Sequence, residues 1–471
     1  MRTCRGLALL CLLAGLACAQ QPTSPTSPTT PEPQTQPQAE GQSDAGQETI
    51  FNHSETARWW ISGQANTIFQ FHPNFHSPYS SSNSLNARHE TATSDVVTLY
   101  TGFELTKTTE VLFDLESAGG GGLSDALGLA GFTNLDVVRN PLLGPKPYIA
   151  RIILHKVIAL GEFEKNPQRN PVTSILRELP KRRLDLRIGK LGTADYFDLN
   201  SVGSDSHLQF MNWVADNNGS YDYAADTRGY TFGAIAEYQD TNWALRFGEM
   251  LMPKVANGPD LDFNLRRARA ENIELELRPT LHKDRATVLR FLSYVNHANM
   301  GSYREAIHAF QAHIDPVPSI EAHRVQGRIK YGFGFNFEHE LTETARIFGR
   351  TGWNEGQNES FAYTEVNQSI QFGGDYRLKM LHRPSDKFGA TFMTQGISRV
   401  HQLYLALGGK GFLLGDGQLT YGREDVLEAY YTARLWRGVS FSPDVQYVVH
   451  PGYNRDRGPV VVPGLRLHLE L

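Results

Sequence analysis

The sequence contains no cysteine beyond residue 19. Its three cysteines, Cys4, Cys11 and Cys18, all lie within the first nineteen of 471 residues. The rest of the chain can therefore form neither disulfide bonds nor cysteine-ligated zinc or iron–sulfur centres, and it offers no thiol nucleophile. A chain of this size without disulfide bonds must be stabilised by other means.

Long apolar runs and a basic excess are also lacking. Beyond residue 19 no run of about 18 apolar residues occurs, and the mean hydropathy is −0.38. This excludes a membrane protein built from helices. It does not exclude a transmembrane barrel, because only every second residue of a barrel strand faces lipid. With 50 acidic and 45 basic residues the chain is mildly acidic, and nucleic acid is not expected as a partner.

Residues 1–19 are typical of a secretory signal peptide. Arg2 and Arg5 precede an apolar run that ends in Ala-Cys-Ala, a small-x-small cleavage pattern. Lipidation of Cys18 is the alternative, but Gly15 stands where lipoprotein signals usually carry a leucine-like residue. Removal of the signal would leave 43 basic and 50 acidic residues, a net charge of −7.

Residues 20–50 are rich in Pro, Gln, Thr and Ser and have almost no side chains able to form a core. This composition predicts a disordered linker, which we expect in the periplasm. Residues 51–471 differ from the linker in composition and keep one uniform pattern. This uniformity predicts one continuous domain.

The domain is dominated by segments of nine to twelve residues that alternate between apolar and polar side chains. In 59–71 the apolar set includes Trp59, Ile61 and Phe69, and the polar set includes Gln64 and Asn66. Successive strand residues point to opposite faces, so each segment predicts a strand with one apolar and one polar face. Similar segments occur at 97–105, 110–116, 272–278, 428–436, 441–449 and 465–471.

A soluble β-sandwich would also alternate, but charges oppose the apolar stripe on nearly every strand. Lipid offers no partner for a free sheet edge, so a membrane sheet must close. At roughly 25 residues per strand and connection, the domain predicts an all-β, antiparallel up-and-down transmembrane barrel of about 16 strands. Long connections are expected outside the cell at 123–147, 300–310 and 399–414, the last two with short helices.

Motifs for metal or catalytic chemistry are weak. Asp260, Asp262 and Asn264 match part of an EF-hand loop, but Leu265 stands where that loop needs glycine. His72 and His76 are separated by a proline and do not suggest a metal site. No Gly-x-Ser-x-Gly motif occurs, although a hydrolase triad could be built from scattered residues. We therefore predict no metal, no cofactor and no enzymatic activity.

Several phrases in this chain, taken in order, resemble the carbohydrate-selective porins of the OprB type. These are GQAN at 63–66, HPNFHSPY at 72–79, NSL at 83–85 with Glu90, LRIGKL at 186–191, DYFD at 195–198, QFMNW at 209–213, DTRGY at 226–230, MGSYREA at 300–306, FAYTE at 361–365, GFLLGDG at 411–417, EAYY at 428–431 and PGYNRDRGP at 451–459. The terminal Leu471 departs from the resemblance, which implies a terminal aromatic residue.

The resemblance implies a 16-stranded outer-membrane porin that passes glucose-like carbohydrates and other small solutes by diffusion, without a cofactor. Partners would be sugars and outer-membrane lipid, and the porin could be a monomer or a homotrimer. From strand parity and motif position we predict seven substrate-binding residues in the pore: Arg88, Glu90, Glu104, Lys190, Trp213, Asp222 and Arg228.

Two other functions stay open on the sequence alone. One is an outer-membrane barrel enzyme such as a lipid hydrolase. The other is a structural barrel that transports nothing and is tethered by its linker.

Overall fold

The computed structural model describes residues 49–54, 56–139, 143–166, 169–282, 285–379 and 382–471. The predicted signal peptide and nearly all of the predicted linker lie outside these ranges. The barrel belongs to the compact unit 36–471.

Within the described residues, sixteen strands pair antiparallel and close into one barrel, which confirms the predicted fold. The strands of the barrel are β1 (Trp59–His72), β2 (Glu90–Thr106), β3 (Thr109–Gly120), β4 (Tyr148–Ala159), β7 (Arg183–Leu191), β8 (Thr231–Gln239), β9 (Trp243–Met250), β10 (Arg269–Leu277), β11 (Thr287–Met300), β12 (Val325–Glu340), β13 (Ala345–Asn354), β14 (Gln368–Leu378), β15 (Arg383–Gly396), β16 (Glu424–Trp436), β17 (Val439–Val449) and β18 (Val460–Glu470). The short strands β5 (Phe163–Lys165) and β6 (Glu178–Pro180) form a separate two-stranded sheet.

The barrel closes where the first and last strands meet. β1 pairs with β18 from Gln64 opposite Glu470 to Gln70 opposite Gly464. The backbone hydrogen-bonding groups at the edges of the first and last strands are thereby paired with each other. A sheet surrounded by lipid requires this pairing.

Alternation along the strands sorts side chains between the outer wall and the interior, as predicted. On β2, Val97 and Phe103 are 51% and 45% exposed, whereas Thr98 and Glu104 are 1% and 3% exposed. The outer wall is apolar and aromatic, and the interior carries most of the amides and charges.

The connections differ between the two ends of the barrel. Short connections such as 107–108, 240–242 and 437–438 lie at one end, which we call the short-turn end. At the opposite end the loops are long, and two of them contain the predicted helices, α2 (Tyr303–Gln311) and α3 (Arg399–Ala406). Another helix of the long-loop end is the single turn α1 (Trp213–Asp216).

Two long loops approach each other closely at one glycine. Gly128, in loop 121–147, has φ of +82°, and a Cβ there would lie 1.8 Å from the backbone nitrogen of Leu85. Only glycine accepts this conformation and this contact without strain. The loops over this part of the barrel are thus packed together.

No helix among the described residues is both long and apolar enough to cross a membrane.

Candidate functional site

The longest loop of the long-loop end, residues 192–230, folds into the barrel, and we call it the inner loop. Nearly all of its residues are buried. Arg466 of β18 donates to the backbone oxygens of Ser206 and Gln209 at 2.5 and 2.9 Å. Arg350 of β13 donates to the backbone oxygen of Ala215 at 2.7 Å. Backbone oxygens of the inner loop therefore satisfy the buried guanidinium donors of the wall. These bonds hold the inner loop inside the barrel.

Further contacts pin the middle of the inner loop. The Glu428 carboxylate of β16 accepts from the backbone nitrogens of Met211 and Asn212 at 2.5 and 3.3 Å. The Asn212 side chain also donates to Gln446 of β17 at 3.0 Å and accepts from the Val214 nitrogen, where it caps α1. This part of the loop is consequently fixed against β16 and β17.

A cavity of about 170 Å³ remains between the inner loop, loop 121–147 and the inner wall of β1–β4. Its polar and aromatic lining includes Gln64, Tyr100, Glu116, Asp136, Arg139, Tyr148, Arg151, Asp195, His207, Trp213, Tyr223, Asp226, Thr227, Arg228, Tyr230 and Tyr363.

Charges in this cavity face opposite charges or hydrogen-bond donors. Arg151 makes two 2.7 Å hydrogen bonds to Asp195. Glu116 accepts from the hydroxyls of Tyr148 at 2.5 Å and of Tyr230 at 3.0 Å. The Arg228 guanidinium lies 3.9 Å from the centre of the Tyr148 ring, a cation–π contact. Because these charges offset one another, the cavity is polar without one dominant sign.

The aromatic residues of the cavity are held rigidly. The Trp213 indole nitrogen donates to the Asn134 backbone oxygen at 2.7 Å, and the ring stacks on Tyr363 with centroids 6.0 Å apart. Tyr363 in turn contacts Tyr223 at 4.9 Å. A buried indole that uses its N–H in this way presents a fixed apolar face.

A histidine links the two loops that line the cavity. His207 of the inner loop lies with Nε2 3.3 Å from Asp136 of loop 121–147, and it stacks on His468 of β18. Burial alone would lower the pKa of His207, but Asp136 outweighs burial and raises that pKa to about 9. His207 is therefore charged at neutral pH, and its charge offsets that of Asp136.

Comparison with known proteins assigns the chain to a family. The family model of the carbohydrate-selective porins, OprB family, matches residues 86–471. The chain belongs to this family. It is thus a carbohydrate-selective porin, in agreement with the resemblance of its motifs.

One solved structure shares the porin's fold, and a second gives a weaker match. The high-pH structure of Pseudomonas putida OprB superposes with a TM-score of 0.65 at 13% identity, covering 88% of this chain and 94% of that chain. The outer membrane channel DcaP of Acinetobacter baumannii gives a TM-score of 0.47 at 9% identity, covering 90% of this chain and 100% of that chain. No curated relative matches the sequence.

Of the seven residues predicted to bind substrate, Trp213 and Arg228 line the cavity of the porin. The other five lie elsewhere. Glu104 is paired with Arg177 by hydrogen bonds of 2.8 and 2.9 Å near the short-turn end. Asp222 pairs with buried Lys330 at 2.9 Å and so fastens the inner loop to β12.

Of the remaining three residues, two lie on barrel strands and one lies in a loop of the long-loop end. Glu90 accepts from the backbone and hydroxyl of Ser124, both at 2.8 Å, and joins β2 to loop 121–147. Lys190 is a half-buried residue of β7 that donates to the Ile149 backbone oxygen at 2.8 Å, and its Nζ lies 5.8 Å from the ring centre of the cavity residue Tyr230. Arg88 is an exposed residue of loop 73–89.

Sequence reasoning did not select most of the cavity residues. Alternation within segments 97–105 and 110–116 puts Tyr100 and Glu116 on the inward faces, but nothing in the sequence distinguishes them from the other inward residues. Asp136 and His207 lie in loops, and their proximity depends on how two loops fold into the barrel. No local sequence signal encodes that contact.

Among the described residues, no group of three or more His, Cys, Asp or Glu side chains is arranged to hold a metal ion. In the partial EF-hand motif, Asp262 lies 3.4 Å from Arg267 and Asp260 lies 3.6 Å from Lys254. Basic side chains thus face the carboxylates that a cation would need.

Proposed function

We propose that this porin lets glucose-like sugars and other small neutral solutes diffuse passively across the outer membrane, through the cavity between the inner loop and β1–β4. The observation that supports this proposal most strongly is the lining itself, in which offset charges alternate with fixed aromatic faces.

This lining suits a neutral, hydroxyl-rich solute. Glu116 and Arg151 present acceptor and donor groups to hydroxyls, while Trp213 offers a flat face to the C–H surface of a sugar ring. Several weak contacts let a solute enter and leave, whereas one tight site would retain it. The offset charges would give little preference for ions of either sign.

The difference between the two ends of the barrel supports one orientation in the membrane. We propose that the long loops face the cell exterior and the short-turn end faces the periplasm. Ile50 donates to the Glu470 backbone oxygen at 2.9 Å, so the chain enters the barrel at the short-turn end. A signal peptide of residues 1–19 and a linker of residues 20–50 would then place that linker in the periplasm, ahead of a porin domain of residues 51–471.

We also propose that the protein has no enzymatic activity. A serine, a histidine and two carboxylates do meet near the short-turn end, but in the wrong arrangement for a hydrolase. His155 has carboxylates at both ring nitrogens, Glu110 at 2.6 Å and Asp185 at 2.8 Å, and Ser174 donates to Glu110. Neither histidine nitrogen is available to activate the serine, as the hydrolase mechanism requires.

The apolar outer wall is suited to contact with outer-membrane lipid. Light scattering on the detergent-extracted protein would distinguish a monomer from a homotrimer.

The transport proposal is tested by swelling of proteoliposomes in sugars of graded size. We expect swelling with glucose-sized sugars that slows steeply for larger ones. Intact barrels that give no swelling with glucose would overturn the proposal and favour the structural alternative.

A further inference from the structure

One long connection lies at the short-turn end, where the other connections between described strands are short. Residues 160–182 join β4 to β7 and include the β5–β6 hairpin. Residues 169–177 of this connection, which we call the rim segment, turn back into the barrel. The exposed fractions of Val172, Ile175 and Leu176 are at most 1%.

The rim segment is bonded to two buried carboxylates of the inner wall, those of Glu104 and Glu110. Ser174 Oγ and the Ile175 backbone nitrogen donate to the two carboxylate oxygens of Glu110 on β3, at 2.6 and 2.8 Å. Arg177 makes its two bonds to Glu104 on β2. Both carboxylates are almost fully buried, so losing the segment would leave two buried charges without these partners.

Packing brings the same segment against the backbone of β2. A Cβ added at Gly102 would lie 2.7 Å from Ile175 Cδ1 and 3.1 Å from Leu112. Glycine at position 102 therefore makes room for Ile175, and the segment lies directly on the wall.

Residues just before and at the start of β1 also contact the rim segment. Arg169 and Arg177 donate to the backbone oxygens of Ser54 and Thr56, at 3.1 and 3.0 Å. The Arg169 guanidinium also lies 5.1 Å from the Trp60 ring. Contacts with β2, β3 and the residues around the start of β1 indicate that the rim segment has a defined position within the barrel.

Strand register places the rim segment closer to the short-turn end than the cavity is. On β2 the cavity is lined by Tyr100, and the segment is bound by Glu104 four residues further toward the short-turn end. On β3 the corresponding residues are Glu116 and Glu110. Four strand residues span about 13 Å. A solute that leaves the cavity along this wall meets the rim segment next.

We propose that the rim segment is a second constriction of the channel, in series with the cavity, and that it contributes to the size limit for solutes. The inference deepens the proposed function and rests on the same solute path. It assigns a specificity-determining role to a connection at the end of the barrel opposite to the inner loop.

The test compares the wild-type porin with two variants in planar bilayers and in swelling assays. In the first, residues 170–174 are replaced by Gly-Gly. Asn170 and Ser174 already exchange backbone hydrogen bonds of 2.7 and 2.9 Å, so the ends of this replacement are adjacent. The second variant, Glu104→Gln with Arg177→Gln, keeps the chain length and removes the ion pair. Lys181→Gln is the control, because Lys181 lies in the same connection but is 58% exposed.

We expect the shortened variant to conduct up to about twice as well as wild type, since removing one of two similar constrictions in series halves the resistance. Swelling in tri- and tetrasaccharides should rise more than swelling in glucose. The double substitution should give a smaller change in the same direction, and Lys181→Gln should match wild type.

Each outcome decides between the two proposals. Suppose that wild type passes glucose, and that both variants fold into heat-modifiable barrels with the conductance and size limit of wild type. The rim segment is then not a constriction, while the proposed function stands. If wild type is closed and the shortened variant conducts, the segment restricts the channel and the proposed function fails. If all are closed, both fail. Should the shortened variant not fold, the double substitution alone decides.

Discussion

Arg151 and Asp195 form a buried ion pair with two hydrogen bonds of 2.7 Å, and this pair joins β4 to the start of the inner loop. Asp195 also accepts from the backbone nitrogen of Gly192 at 3.1 Å. Asp195 is thereby the nearer of two carboxylates that pair with Arg151, the other being Asp114 at 3.4 Å, and it also fixes the point where the loop turns into the barrel. The charge balance of the cavity and the position of the loop depend on the same residue.

Replacing Asp195 by Asn should therefore change both properties. Arg151 would keep only the more distant Asp114, at 3.4 Å, so the cavity would gain positive charge and shift toward anions. Loss of one partner of a buried pair costs about 3 kcal/mol. Reversal potentials in a salt gradient should move toward anion preference, and the barrel should lose heat resistance on gels. The exchange Glu321→Gln, at an exposed loop residue, is the control. An unchanged reversal potential would show that Arg151 does not face the solute path.

The second prediction concerns the aromatic face of Trp213. Trp213→Ala should weaken glucose binding in the channel several-fold, since a stacked aromatic contact contributes about 1 kcal/mol. Sugar-induced current noise measures this affinity. Trp213→Phe, which keeps an aromatic face but loses the bond to Asn134, should lie between wild type and Trp213→Ala. Equal affinity in all three would contradict a sugar contact at this position.

The third prediction is a pH dependence that follows from His207. Its pKa in the folded protein, about 9, lies above the ordinary value of 6.5. The stabilisation from its charge is hence complete below about pH 6.5 and is lost as pH rises through about 9. Raising the pH from about 7 to about 10 should expose the negative charge of Asp136 and increase cation preference. His207→Gln should already show the higher preference at pH 7, without a further step near pH 9. A step of equal size in that variant would assign the titration to another group.

The fourth prediction concerns Lys330 and Asp222, which lie 2.9 Å apart. Lys330→Met leaves Asp222 buried without its cation and should destabilise the barrel by about 3–5 kcal/mol. The double variant Lys330→Met, Asp222→Asn should recover much of this loss. The temperature at which the folded form disappears from gels measures both. If the double variant were as unstable as the single one, the pairing would not explain the effect.

The barrel was predictable because its determinants are local. Alternation of side chains decides which face of each strand is buried, and Thr98 and Glu104 on β2 follow it. The strand number followed from chain length, and the helix α2 followed from the helical spacing of Tyr303, Ile307 and Phe310 within its own segment. Each of these inferences needed only neighbouring residues.

The site was less predictable because it is assembled by contacts between distant segments. The Asn212 side chain meets Gln446, more than two hundred residues away, and nothing in the sequence of the inner loop indicates which strand it approaches. Trp213 was found through a family motif rather than through its own pattern. The rim segment escaped prediction because a long connection was expected only at the exterior end.

In the proposed mechanism, solutes pass through the cavity between the inner loop and β1–β4. Because the chain beyond residue 19 has no cysteine, one thiol can be introduced at Thr227, a cavity residue. Arg304→Cys, on the exposed face of α2, is the control. The decisive measurement is single-channel conductance before and after a bulky thiol reagent is added. We expect modification of Thr227→Cys to block most of the current and of the glucose flux, while modified Arg304→Cys conducts normally. Full conductance through modified Thr227→Cys would contradict this mechanism.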